Sequence, residues 1–163
     1  MEAMSTNQPF EQVVREHGPR ILRVCRAVLG AGADADDAWS ETFLAALRAW
    51  PDLDAGTNHE AWLVRVAQRK CIDILRARKR LPVPSDALLD GTSPQRPDTT
   101  IWAAVAALPE KQRLAVAYHY YGGLPHTETA ELTGSTPTVV RRAASEGIAT
   151  LRRALAHDVG ATP

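Results

Sequence analysis

The stretch LPHTETAELTGSTPTVVRRAASEGIATLRRAL, residues 124–155, decides the fold. Two helices that cross closely need a small residue at the crossing, and Ala130 supplies one. Four positions on, the chain must turn tightly, and Gly134 accepts the positive φ that such a turn imposes. Val140, ten positions after Ala130, is spaced to anchor the second helix on the first. Along that second helix Val140, Ala144, Ile148, Leu151 and Leu155 share one face, while Arg141, Arg142, Arg152 and Arg153 lie on another. The pattern predicts a helix-turn-helix that turns its apolar side inward and offers cations to a major groove. Thr129, Thr133 and Ser135 stand where larger aliphatics would pack better.

Working outward, the chain has 163 residues, 45% of them hydrophobic and 23% charged, a profile of folded rather than disordered protein. That length suits one ordinary domain or two very small ones. Lys plus Arg and Asp plus Glu both number 19, so net charge exerts no global pull toward nucleic acid or membrane. A nucleic-acid function must therefore rest on local segregation of charge. Arg76-Ala77-Arg78-Lys79-Arg80 is such a cluster, followed by the pairs Arg141-Arg142 and Arg152-Arg153.

Residues 81–100 carry Pro82, Pro84, Pro94, Pro97 and Gly91 with little periodicity, which predicts an extended linker. It separates a block at 8–80 from one at 101–157. Nothing in either block alternates like a strand, so the expected fold is all-α: two small helical domains, the second a helix-turn-helix domain. In the first block Phe10, Val13, Val14, His17, Ile21, Cys25, Val28 and Leu29 follow three-and-four spacing. Gly18-Pro19 is expected to bend or divide that helix. Asp34 is the expected N-cap of a second helix, with Asp37 in its first turn and Trp39, Phe43, Leu47 and Trp50 along it, before Pro51.

Thr57-Asn58-His59-Glu60 has the form of a capping box opening a third helix that runs to about Arg80. Leu63, Ala67, Cys71, Ile74 and Leu75 fall on one side of it. Arg65, Arg69, Arg76, Lys79 and Arg80 fall within a stripe about 100° wide, with Asp73 placed to tether Arg69 and Arg76. Such a stripe is either a solvated helix face or a phosphate-binding one. In the second block Ile101, Trp102, Val105 and Leu108 mark a helix, and Pro109-Glu110 starts another. Leu114, Ala117, Tyr118 and Tyr121 continue it until Gly122-Gly123.

Cys25 and Cys71 each lie in an apolar helical pattern, as buried thiols in a reducing compartment would. No cysteine or histidine spacing suggests a metal, and His17, His59, His119, His126 and His157 are scattered with no nucleophile near them. The sequence thus implies neither enzyme nor cofactor nor small-molecule substrate. No long apolar run is present, so neither a signal peptide nor membrane insertion is expected, and the location implied is cytoplasmic.

Three segments together resemble the extracytoplasmic-function (ECF) group of bacterial RNA polymerase sigma factors, over about residues 8–157. Asp34-Ala35-Asp36-Asp37-Ala38-Trp39-Ser40-Glu41-Thr42-Phe43 resembles the acidic-aromatic helix by which the family docks on the polymerase. Trp62-Leu63-Val64-Arg65-Val66-Ala67, through Asp73, Leu75 and Arg76, resembles its promoter-melting helix. Leu108-Pro109-Glu110-Lys111-Gln112-Arg113, Gly123-Leu124 and Glu128-x-Ala130-Glu131-Leu132-x-Gly134 resemble its C-terminal domain.

The resemblance implies a transcription initiation factor with core RNA polymerase, promoter DNA and an anti-sigma factor as partners. It assigns polymerase binding to Asp36, Asp37, Ser40, Glu41 and Phe43, the last either anchor, core or both. It assigns DNA contact to Asn58, Trp62, Arg65, Arg69, Lys70, Arg76, Arg78, Lys79 and Arg80 at the −10 element, with Trp62 read as core before stacking platform. Loop 52–59 would wall the pocket of an unstacked base. Arg141 and Arg142 would read the −35 element. The sequence departs from the family at Arg69, commonly asparagine, at Lys70, usually apolar, and at Ala143 and Glu146, often arginines. Glu146 would repel phosphate unless it meets a cytosine amino group or Arg142. The competing reading is a dimeric stand-alone helix-turn-helix regulator, which leaves the acids beside Phe43 and the basic third helix unexplained.

Overall fold

The structure, a computed structural model, describes residues 8–80 and 99–160. Every regular element among them is helical: α1 (Phe10–Leu29), α2 (Ala33–Ala49) with a 3₁₀ turn (Trp50–Asp52), α3 (His59–Arg80), α4 (Thr99–Ala106), α5 (Glu110–Ala115), α6 (His126–Thr133) and α7 (Pro137–Gly160). The linker expected over 81–100 lies outside the described residues except at Thr99 and Thr100, where α4 has already begun.

Helix α1 differs from expectation at Pro19, through which it runs undivided. Proline withholds one N–H from the ladder. Packing on both sides overrides that loss, because Val13, Ile21, Val24, Cys25 and Val28 are all buried. The indole Nε1 of Trp39 also donates to the Gly18 carbonyl at 2.9 Å, tying α2 to the proline turn.

Two helix starts also differ. Asp34 does not cap α2, which begins at Ala33 behind Gly32. Its carboxylate instead receives Arg78 Nε at 2.7 Å, while Arg78 Nη2 reaches the Leu29 carbonyl at 3.1 Å. A partner 44 residues away prevails over the local cap. For α3 the cap is Asn58 rather than Thr57, its side-chain oxygen accepting from the Ala61 N–H at 3.2 Å. Glu60 does not reach back to close a box; it pairs with Arg20 of α1.

The core of the first domain is aromatic at one end and aliphatic at the other. Phe10 meets Trp50 and Phe43 edge-on at 5.7 and 6.4 Å, and Trp39 lies 4.7 Å from Phe43. Toward the other end Cys25 and Cys71 are fully buried free thiols. A hydrogen bond with Cys25, added to burial, pushes the Cys71 thiol far up.

The second domain is built as its sequence predicts at the turn. Gly134 ends α6 at φ 65°, ψ 37°, the left-handed conformation that glycine adopts without penalty. Ala130, Val140, Ala143, Ala144 and Ala115 form the small-residue contact at the helix crossing. Thr136 accepts from the Val139 N–H at 3.3 Å and Pro137 takes the first position of α7. After α5 the chain widens into a π-helical segment, Val116–Tyr121, which no pattern in the sequence announces.

Thr129, suspect from sequence, is fully buried, and among the described residues its hydroxyl finds no hydrogen-bond partner. Removing an unsatisfied buried polar group relieves its desolvation cost, of order 1–3 kcal/mol. Thr129→Val keeps the shape and is expected to raise Tm by about 3 °C for a gain of about 1 kcal/mol. A thermal melt that moves down, or not at all, would show that the hydroxyl is satisfied in solution.

The two domains share one continuous core. Val13, Ile21, Val24 and Leu63 belong to the same buried cluster as Trp102, Val105, Leu108, Val116, Tyr118 and Leu124. The corner Gly122-Gly123 lies on α1 and α3. A Cβ on Gly122 would sit 3.2 Å from Val64, and one on Gly123, at φ 73°, 2.6 Å from Arg20 Nη1.

Candidate functional site

Helix α2 has two apolar stripes, and only one faces the core. Phe43 is 6% exposed and locked among aromatics, so its ring offers little to a partner. Leu47, grouped with the core residues by its spacing, is instead 51% exposed, and Leu44 is 47% exposed. Asp37, Ser40, Glu41, Leu44, Leu47 and Arg48 therefore follow one another down an exposed side at helical spacing, with Asp36 beside them. Two half-exposed leucines beside three acids form an amphipathic surface of the kind partner proteins cover. Sequence reasoning misses Leu44 and Leu47 because spacing alone does not tell which of two stripes is buried.

Helix α3 carries the expected cations, but not as one free row. Arg69, Arg76, Lys79 and Arg80 are exposed and Lys70 is half-buried. Asp73 makes no ion pair with Arg69 or Arg76 in the described structure, so the expected tether is absent. Arg78 is committed to Asp34 and Leu29, where it clamps the end of α3 to the α1–α2 junction. Arg65 is engaged from the second domain, its Nη2 lying 3.6 Å from Glu128 and 3.9 Å from Glu131. Gln68 Nε2 donates to the Leu132 carbonyl at 3.3 Å. Asn58 serves as the cap of α3, and Trp62 is half-buried against the core cluster. Beside them His59 meets Trp50 at a tilt, with ring centroids 4.7 Å apart. Among the described residues the buried His59 Nε2 has no hydrogen-bond partner.

The helix-turn-helix presents Arg141 and Arg142 to solvent at the start of α7. Glu146 pairs with Arg142 at 3.0 Å and takes a weak bond from Gln112 at 3.4 Å, so it is neutralised within the protein. Ala143 is buried against α5 and α6. At the other end of this surface His119 and His126 stack with centroids 3.8 Å apart, and His119 Nδ1 lies 2.7 Å from the Leu124 carbonyl. Burial, the stacked His119 ring and nearby Arg141 hold His126 below the usual imidazole range. Among the described residues no group of His, Cys, Asp and Glu is arranged to hold a metal, and no helix is long and apolar enough to cross a membrane.

Known proteins share this geometry. The family model of Sigma-70 region 2 matches residues 13–81 and that of Sigma-70 region 4 matches residues 99–156. The ECF RNA polymerase sigma factor ShbA of Streptomyces griseus is 32% identical over 159 residues, covering 82% of this chain and 81% of that protein. Among solved structures, the sigma factor RpoE of Bartonella quintana, in complex with the anti-sigma factor NepR, matches with a TM-score of 0.69 at 18% identity. It covers 90% of this chain and 96% of that one. CnrH, a sigma factor of Cupriavidus metallidurans seen with the cytosolic domain of CnrY, matches with a TM-score of 0.61 at 26% identity, covering 94% and 92%.

Two such regions in this order define a promoter-recognition factor for transcription initiation. The chain belongs to the ECF group of RNA polymerase sigma factors. The stand-alone dimeric regulator is not favoured.

Proposed function

We propose that the two domains divide the work of initiation. The first docks on core RNA polymerase and holds the melted −10 element, and the second reads the −35 element. The observation that carries this reading is the exposed acid-and-leucine side of α2, kept clear of the core while Phe43 and Trp39 anchor the helix from behind. Asp36, Asp37, Ser40 and Glu41 provide charge complementarity to a basic helical partner, and Leu44 and Leu47 provide apolar contact. Arg69, Lys70, Arg76, Lys79 and Arg80 attract the displaced strand along α3. Arg141 and Arg142 enter the major groove. The unpartnered Nε2 of His59, beside loop 52–59, makes that loop a suitable wall for an unstacked base.

The chain acts by binding rather than by catalysis, in the cytoplasm, and needs no cofactor. RpoE of Bartonella quintana is bound by an anti-sigma factor, and a protein inhibitor of that kind is proposed here too. The test is co-migration of the purified protein with core RNA polymerase on size exclusion at moderate salt. A stoichiometric complex is expected; a homodimer that retards duplex DNA but ignores polymerase would overturn the reading.

The Arg142–Glu146 pair restrains the second domain. It is a surface i,i+4 pair, worth about 0.3–0.5 kcal/mol, so losing it barely affects folding. Glu146→Gln frees Arg142 and removes a negative charge from the groove-facing side. The variant is expected to bind duplex DNA several-fold tighter, with a salt slope steeper by about one. Equal slopes in a fluorescence-anisotropy salt titration would mean that Arg142 already contacts phosphate.

A further inference from the structure

Three side chains able to carry positive charge meet at the start of α6. His119 of the π-helical segment and His126 of α6 stack with ring centroids 3.8 Å apart, and Arg141 of α7 is close enough for its charge to act on the His126 ring. The acids of α6 are turned elsewhere, Glu128 and Glu131 lying 3.6 and 3.9 Å from Arg65. Among the described residues neither imidazole has a carboxylate at ion-pair distance. Of the phenols on the π-helical segment, Tyr118 is buried with its pKa pushed up, and Tyr120 meets Tyr121 edge-on. Such a set lacks an anion, because crowded like charges stay neutral until an opposite charge arrives.

His119 shows which form would hold one. The Gly122-Gly123 corner folds Leu124 back, so that its N–H reaches the Tyr118 carbonyl at 3.1 Å and its own carbonyl receives His119 Nδ1 at 2.7 Å. A carbonyl only accepts, so Nδ1 carries the proton and a neutral His119 keeps only a lone pair at Nε2. That lone pair repels a phosphate oxygen, whereas a protonated Nε2 donates to it. His126 opens α6, and in a helix-turn-helix the first helix crosses the DNA backbone while the second lies in the groove. We infer that His119, His126 and Arg141 form a site for one backbone phosphate of duplex DNA, filled with uptake of protons by the imidazole pair. This rests on the major-groove reading of Arg141 given above. In the free chain His126 lies below the usual imidazole range, held there by burial, by His119 and by Arg141, and is uncharged at neutral pH. A bound phosphate favours the charged rings, so they stay protonated to higher pH in the complex than in the free chain. Affinity for DNA therefore rises as pH falls through that interval.

Fluorescence anisotropy with the full chain and a labelled mixed-sequence duplex of about 20 base pairs, at fixed low salt, tests the site. The wild type is expected to bind about tenfold tighter at pH 6 than at pH 8, the change that uptake of one proton per pH unit gives. H119Q/H126Q should change by less than about twofold over the same range, while H157Q, which removes an imidazole from the far end of α7, should keep the wild-type response. H126Q alone leaves the His119–Leu124 contact intact and carries the same test if the double variant does not fold. H126R supplies a permanent cation and should bind at pH 8 about as tightly as the wild type does at pH 6, a rescue that a packing role for the ring would not give. Calorimetry in two buffers of different ionisation enthalpy should read proton uptake on binding for the wild type and none for H119Q/H126Q. A wild type indifferent to pH, or a double variant that keeps the wild-type response, overturns the phosphate site and leaves the groove reading standing. R141A/R142A reports on that reading alone, by weaker binding at both pH values. A wild type that binds no duplex at either pH overturns both.

Discussion

The D36R/D37R variant is expected to lose core polymerase by at least about 100-fold while its circular dichroism stays that of a helical protein. Both carboxylates are exposed and make no ion pair in the described structure, so the fold does not depend on them. Their position near the start of α2 costs something: replacing an acid by a base close to a helix N-terminus loses about 0.3–1 kcal/mol. Two such losses remain small beside the 5–15 kcal/mol by which domains are typically stable. At an interface the balance differs. Close charge pairs couple by about 1.5–7 kcal/mol, and two reversals turn attraction into repulsion. Size-exclusion co-migration with core polymerase reads the loss directly. A variant that still co-migrates would move the docking surface off α2, and with it the role given to Leu44 and Leu47.

The second large effect is expected at α7. R141A/R142A removes two exposed guanidinium groups from the start of the helix proposed to enter the major groove. A good base contact is worth about 1–3 kcal/mol, so losing two should lower promoter-directed initiation by about 100-fold or more. The salt slope of duplex binding should fall by up to about two, one for each guanidinium that no longer neutralises a phosphate. Because Arg142 is already paired with Glu146, Arg141 should carry the larger share. Run-off transcription from the cognate promoter measures it. Persistent initiation would mean that the first domain recognises the promoter alone.

What can be read from the sequence is governed by how far each constraint reaches along the chain. Gly134 and Ala130 are legible because a tight turn demands a positive φ and a close crossing demands a small side chain, both within a few residues. The start of α3 is legible to within one residue, the usual slip between neighbouring capping groups. Asp34 misleads because Arg78, its partner, arrives from the far end of the domain. Arg65 misleads for the same reason on a larger scale, its carboxylates lying in the other domain. Leu47 and Phe43 differ in kind. A helix with apolar residues on two sides has no periodicity to say which side is inside, and only the ring of Phe10 and the indoles of Trp39 and Trp50 decide it. Ala143 and Glu146, departures from the family at the level of sequence, turn out to be a packing residue and the partner of a neighbouring arginine.

The paired thiols of Cys25 and Cys71 have a use beyond packing. Both are fully buried, and the raised pKa of Cys71 keeps that sulfur protonated and unreactive while the first domain is folded. The second domain, as far as the sequence runs, contains no cysteine at all. An alkylating reagent added to this protein therefore times the opening of the core that α1 and α3 share with Tyr118 of the second domain. The chain carries a native clock for that core, already wound and needing no engineered label.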